Sequence, residues 1–490
     1  MTEQPTGHPS ASWIFAALSA LLGASTLFDA HAGINWGIWV ALTTLAALYC
    51  QRSEDFRRAR PSTLLALAAI LAAGADARTA NSGAHVGIFC LTAFILGVFI
   101  CSIRATDADE VRLLTLLTSP FLAVASVAVS AARKIGSLLQ PAPGSSSRTA
   151  VRRTVLVAPV VLVIIALLAG ADPVIHSTVE SVTTWIPEVM MPARVIFFLV
   201  LLFVTLGAFS RLPDLKLALP LQGAQLRGGP TAADATVLVG STLATLALFL
   251  ILQVVYLFVH LPNQIGNGVT YAEYARRGFG ELCVVVTIVA AVILFAEKLR
   301  RNNEGTRSAL LRNLEFGSLV AAGLILLSAL RRVVLYEQAY GYTVARVHAT
   351  AYIVFIAGCL ILLADQLRRG SITPALARRS AAFGLIVVLA ILYWNDQAWI
   401  TNRNIDRIRE TGKFDVKYAA SLSDDALPTI ARRKNEIAPA DWIALRDRLA
   451  CKRLPESDEW YEWNAARAAA RTARASLRLA ASTACPKRGD

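Results

Sequence analysis

Long apolar runs separated by short polar stretches set the pattern of this chain. A bilayer core about 30 Å thick takes roughly 20 apolar residues per helix. By that measure the runs predict eleven membrane-spanning helices, near residues 12–29, 34–50, 62–76, 84–103, 154–170, 193–210, 235–259, 280–298, 313–330, 347–366 and 380–398. The third is short and Gly74 interrupts it. A further run, residues 113–134, carries Ser119-Pro120 and closes on Arg133-Lys134. It reads as an amphipathic or re-entrant helix; a twelfth span is the alternative and would invert everything downstream. No Lys or Arg precedes the first run, so that run reads as a membrane helix and not as a cleavable signal peptide.

Composition agrees with the pattern. The 490 residues are 55% hydrophobic and 17% charged, with a mean hydropathy of +0.53. Soluble domains carry about 25% charged residues. The net charge of +14 would suit nucleic acid, but the basic residues sit mostly in short loops between apolar runs, which is how membrane proteins fix their orientation. Segments 51–61, 104–153, 211–234, 298–312 and 367–380 hold 23 Lys and Arg; the alternate set 30–33, 77–83, 171–194, 260–279 and 331–346 holds 7. The first set is therefore expected in the cytoplasm, with the N-terminus inside and, after eleven spans, the C-terminus outside.

The expected organisation is an N-terminal four-helix membrane part (1–103), a cytoplasmic segment with the amphipathic helix and a Pro/Ser-rich linker (104–153), a seven-helix membrane domain (154–399) and a C-terminal helical domain (400–490). In the last, residues 401–490 hold 18 Lys/Arg and 13 Asp/Glu. Segments 402–411, 423–435, 438–452 and 456–482 there read as helices. The fold class is all-α: a polytopic transmembrane bundle of about eleven spans with a small helical extracytoplasmic domain. Five of the seven cysteines lie in or beside apolar runs. Cys451 and Cys485 lie in the C-terminal domain, and an extracytoplasmic location would allow them to form a disulfide.

Candidate chemistry gathers at the expected outer face. One stretch offers Tyr271, Glu273, Tyr274, Arg276, Arg277 and Glu281; another offers Arg331, Arg332, Tyr336, Glu337, Tyr340, Tyr342, Arg346 and His348. Arginine on this side gains nothing from the orientation rule, so each needs a specific partner. A structural salt-bridge and tyrosine network is one reading; a site for an anionic substrate or phospholipid head group is the other. His260 and His348 border the basic stretches and are acid–base candidates. No metal-ligand spacing accompanies the histidines and no cofactor motif occurs, so no metal site and no cofactor are expected. No ionisable residue sits at mid-depth in a span, which weighs against an ion-driven carrier.

Three ordered stretches carry a family resemblance. Tyr271-Ala-Glu-Tyr-Ala-Arg-Arg-Gly-Phe-Gly-Glu-Leu282 resembles a signature of the bacterial membrane-protein family known as domain of unknown function 4173, related to the 4153 group. Arg332 with Tyr336 and Tyr340-Gly-Tyr-Thr-Val-Ala-Arg346 is similar to its second signature. Asn402-Arg-Asn-Ile-Asp-Arg407 followed by Asp415-Val-Lys-Tyr-Ala-Ala-Ser-Leu-Ser-Asp-Asp-Ala-Leu-Pro428 is similar to its third. The resemblance spans roughly residues 150–430 and implies an architecture, with no activity attached. It also implies that the stretch after the last span belongs to the common plan.

The expectation is a multi-pass protein of the bacterial inner membrane whose outer face binds an anionic lipid, an envelope glycan or a protein partner. The alternatives are a membrane enzyme acting on a lipid-linked envelope substrate and a transporter of a substrate not coupled to ions.

Overall fold

The computed structural model describes residues 9–50, 56–102, 113–138, 192–210, 232–259, 279–302, 308–370, 372–373, 375–452 and 459–479. Their regular structure is all helical, with no strand among the described residues. The longer helices are α1 (Pro9–Thr26), α2 (Ile34–Cys50), α3 (Phe56–Gly74), α4 (Ser82–Ser102), α5 (Leu113–Leu138), α6 (Pro192–Phe209), α7 (Ala232–Val259), α8 (Phe279–Asn302), α9 (Ala309–Tyr340), α10 (Val344–Arg368) and α11 (Ala375–Tyr393). Six of them, α4 and α7 to α11, are long and apolar enough to cross a membrane; α1, α2 and α6 contain shorter apolar segments. Every predicted span falls on one of these helices except 154–170, which lies outside the described residues, and 380–398, which overruns the end of α11 at Tyr393. After α11 come α12 (Asp396–Thr411), α13 (Val416–Ser421), α14 (Leu427–Arg433), α15 (Pro439–Ala450) and α16 (Ala465–Ser476).

The chain forms two compact units that follow packing and not chain order. The first takes α1 to α6, apart from the first residue of α5, together with residues 454–468; the second takes residues 109–113, 219–453 and the last residues from Ala469. The divisions expected from sequence at 104–153 and 400 run along the chain, whereas α6 packs on α1 and so joins the N-terminal helices.

Small residues let the helices of the first unit approach closely, as membrane helices require in the absence of a hydrophobic force between them. Ala69, Ala72 and Ala73 of α3 are fully buried. A Cβ on Gly207 of α6 would overlap the main-chain carbonyl of Val127 on α5, and one on Gly97 of α4 would stand 2.7 Å from Cα of Pro120. Pro120, Val127 and Ile135 spread over two thirds of α5. Their neighbours, Gly97, Gly207 and the cluster around Phe99, Leu206 and Phe209, lie in the closing portions of α4 and α6. Helix α5 thus lies across one end of the unit instead of running alongside the others.

At the opposite ends of α1 to α4, a segment from the far end of the chain ties the loops together. The Glu462 carboxylate accepts the backbone N–H of His31 (2.9 Å) and meets His31 Nδ1 at 3.1 Å. Ile34 N–H donates to the Trp463 carbonyl, and Asn464 Nδ2 donates to the carbonyls of Asp76 and Thr79. Asp76, itself buried, holds His85 Nδ1 at 2.6 Å. A Cβ at Gly33 would meet the Glu462 carbonyl at 2.5 Å, so the close approach needs glycine there.

The second unit buries a continuous apolar core from α7 to α10, including Val286, Ile293, Ala322, Ile325, Ile353 and Leu367. Helices α10 and α11 interlock reciprocally. The Phe383 ring covers Gly358, and the Phe355 ring lies 2.8 Å from a Cβ position on Gly384. At the other end of α8, Arg300 makes a two-pronged contact with the buried Glu297 carboxylate at 2.7 and 2.9 Å.

Close packing at Gly207 makes a prediction. Gly207→Ala should destabilise the protein by about 1–3 kcal/mol, because a backbone carbonyl cannot move aside. Gly87→Ala, where an added Cβ meets nothing within 4 Å, should be neutral. Thermal unfolding of both variants in detergent checks the pair.

Candidate functional site

The C-terminal end of α9 poses the problem that the second and third sequence signatures solve together. An α-helix leaves its last carbonyls without intrahelical donors. Here the chain turns through Gly341 at a positive φ (84°), and its N–H returns to the Glu337 carbonyl at 2.8 Å. Only glycine adopts that φ without strain, and a Cβ would stand 2.9 Å from Asn404 Oδ1. Two arginines supply donors for further carbonyls. Arg407 donates from Nε to Gln338 O (3.2 Å) and from Nη2 to Ala339 O, while Arg346 donates from Nη1 to Gly341 O. Positive charge at a helix C-terminus also complements the helix dipole.

Arg346 is held from its other side. Its guanidinium lies 4.0 Å from the centroid of the Tyr336 ring, and Tyr336 packs on Tyr340 with centroids 5.0 Å apart. Such a cation–π contact favours the planar guanidinium over an ammonium.

The third signature supplies a clamp almost residue by residue. Asn404 accepts the Tyr342 N–H (2.7 Å) and returns a donor to the Tyr342 carbonyl (2.9 Å), as a neighbouring strand would. Ile405 is fully buried and lies one turn beyond Thr401 and close to Ile400 on the inward face of α12. Asn402, Asp406 and Glu436 surround Arg433, at 2.6, 2.7 and 2.7 Å, which fastens α12 to α14. Arg403 lies over the Trp399 ring, and Trp399 meets Tyr342 edge to face. Asp415 caps α13 by accepting the Tyr418 N–H, and the Tyr418 hydroxyl accepts the Val344 N–H at 2.8 Å. Ser423 N–H donates to Gln397 Oε1, and Asn395 donates to the Asp425 carbonyl.

The electrostatics fit a clamp. Hydrogen bonds from Arg433, then its charge and that of Arg409, hold the Glu436 carboxyl down to about 2, so it is ionised at any physiological pH. Burial pushes the Tyr418 phenol up, so its oxygen stays protonated while accepting from Val344. Burial also raises the Asp424 carboxyl and lowers the Lys452 amine, two groups whose charges face each other beside Arg474. Lys452 donates to the Leu422 carbonyl. Cys451, at the end of α15, is disulfide-bonded; Cys485, its expected partner, lies outside the described residues.

The expected site residues therefore divide. Tyr336, Glu337, Tyr340 and Arg346 come together at the α9–α10 turn. His348, exposed, meets Asp396 at 3.1 Å. Arg332 is half-buried and engaged; Arg331 is exposed. Glu281 is exposed in the first turn of α8. Tyr271, Glu273, Tyr274, Arg276, Arg277 and His260 lie outside the described residues. Among the described residues no group of three or more His, Cys, Asp or Glu is placed to hold a metal ion. Sequence reasoning did not connect Asn404, Arg407 and Tyr418 with the second signature. It also missed the His31–Glu462 and Asp76–His85 pairs, whose only sequence trace is the placement of the histidines at predicted outer loops.

Arg407→Ala should lower stability by about 1–2 kcal/mol, the net worth of the two exposed hydrogen bonds it removes, since water can then reach the carbonyls. Arg407→Lys should recover less than half of that, since one ammonium cannot reach two successive carbonyls with the fixed fork of a guanidinium. Chemical or thermal unfolding of the detergent-purified protein reads both.

One family model matches the chain, the domain of unknown function DUF4153, over residues 16–433. No curated protein and no solved structure matches. The matched range contains the α9–α10 turn and the α12–α14 clamp, and it extends well N-terminal of the expected 150–430. With most of its length matched, the chain belongs to the DUF4153 family, a family of unknown function, and its long apolar helices mark it as a membrane protein.

Proposed function

We propose that this protein is a multi-pass protein of a bacterial inner membrane that presents a preassembled helical layer, residues 396–452, on the outer face, where it binds an anionic envelope component. The observation that carries this reading is the clamp itself. Arg346, Arg407, Asn404 and Tyr418 tie the helices after α11 to the turn between α9 and α10, so the layer is braced before any partner arrives. Preorganisation of that kind lowers the ordering cost of binding.

The orientation has two supports. Lys and Arg are concentrated in one set of loops by 23 to 7. Cys451 is disulfide-bonded, which suits an oxidising compartment. The same reading includes about eleven spans, with α5 lying at the cytoplasmic interface, and a Cys451–Cys485 pairing. It also includes a place in the 4173 branch of the family, for which the three signatures speak. An anionic lipid, an envelope glycan and an acidic protein share the chemistry that the outer arginines of the first two signatures would meet.

The test is thiol labelling. After mild reduction, a membrane-impermeant maleimide should modify Cys451 and Cys485 in intact spheroplasts, and the double substitution Cys451→Ser/Cys485→Ser should abolish that signal, whereas Cys451→Ser alone should leave Cys485 labelled even without reduction. Labelling only after the membrane is permeabilised would place the layer in the cytoplasm and end the proposal.

A further inference from the structure

The first two signatures hold four arginines, and Arg331 stands immediately before the second, all on the side where the orientation rule places few; of the described ones, all but one are accounted for. Arg346 and Arg332 have protein partners. Arg331 is exposed, and no hydrogen bond or ion pair joins it to another group among the described residues. It sits one turn beyond Leu327 on α9, on the face that borders an apolar crevice of about 400 Å³ between α9 and α10. Phe316, Val320, Gly323, Leu327 and Leu330 line the α9 side, and Ile353 and Ile361 are among those on α10.

The crevice has the dimensions of a lipid chain. From Phe316 to Leu330 it follows α9 for about 21 Å at the helical rise, and one leaflet of the bilayer core is about 15 Å thick. Its volume falls within the range of small-molecule sites. Gly323 opens its middle: a Cβ there would meet nothing within 4 Å. Val320, Leu327 and Ile361 expose roughly two thirds of their surface along it, a cost in water and none beside an acyl chain.

We infer that the α9–α10 crevice is a binding site for an anionic phospholipid, with one acyl chain against Gly323 and the phosphate at Arg331. Charge selects this occupant. A second helix would cover the apolar wall and leave Arg331 at its rim without a counter-charge, whereas an anionic lipid satisfies both at once. The inference rests on the outward orientation proposed above only for the leaflet that supplies the lipid, so it can fail while that reading stands.

The experiment is native mass spectrometry of the full chain in detergent, titrated with phosphatidylglycerol and phosphatidylcholine of equal chain length. The wild type should retain phosphatidylglycerol about fivefold more strongly, the ratio that one interfacial cation supplies. Arg331→Gln should bring that ratio to about one and Arg331→Lys should keep most of it. Leu327→Trp, at an exposed position, should reduce retention of both lipids. Three outcomes would overturn the inference: a preference that survives Arg331→Gln, retention unaffected by Leu327→Trp, or full displacement by inorganic phosphate alone. A wild-type dimer that Leu327→Trp converts to monomer, with lipid retention unchanged, would assign the crevice to a second copy and overturn it as well.

Discussion

A helix that ends at a membrane surface has carbonyls with no donors of their own, and the end of α9 shows what that constraint demands. Water can satisfy such groups, but then nothing fixes where the chain goes next. Here Gly341 reverses the chain, and the carbonyls of Gln338, Ala339 and Gly341 are taken by Arg407 and Arg346. Because Arg407 comes from α12, satisfying α9 also fixes the position of the helices that follow α11. One set of hydrogen bonds thus closes a spanning helix and mounts the helical layer.

That arrangement accounts for the arginines of the loop set that holds few Lys and Arg. The orientation rule concerns charge in loops and is indifferent to helix ends. A guanidinium that reaches two carbonyls, or one carbonyl and a tyrosine ring, is held by its own chain and makes little demand on a ligand. Arg331, with no such partner among the described residues, is left for chemistry outside the chain. The same economy operates at the loops of α1 to α4, where Glu462, Trp463 and Asn464 satisfy backbone groups of His31, Ile34 and Asp76 from more than 380 residues away.

Much of the architecture was legible in the sequence because apolar run length maps directly onto helix length. The helices begin and end within a few residues of the predicted spans, with α9 the exception: it continues to Tyr340, ten residues past the apolar run. Periodicity could not show that extension, since Arg331 and Arg332 look like a loop. The family resemblance marked the second and third signatures as separate stretches and could not show that they meet, because Tyr342 and Asn404 are 62 residues apart. Nor could chain order reveal that α6 packs with α1, a consequence of small residues such as Gly23 against Leu201 and Trp39.

The second and third signatures form one locked junction. Hydrogen exchange at the amides of Tyr342 and Val344 tests it most directly, since their only described acceptors are Asn404 and Tyr418. Both amides should be protected in the wild type and should exchange at least about tenfold faster in Asn404→Ala and Tyr418→Phe respectively, an order of magnitude being the worth of one hydrogen bond. Amides in the middle of α9 should not change. Exchange at the solvent rate in the wild type, or protection indifferent to both substitutions, would contradict the account.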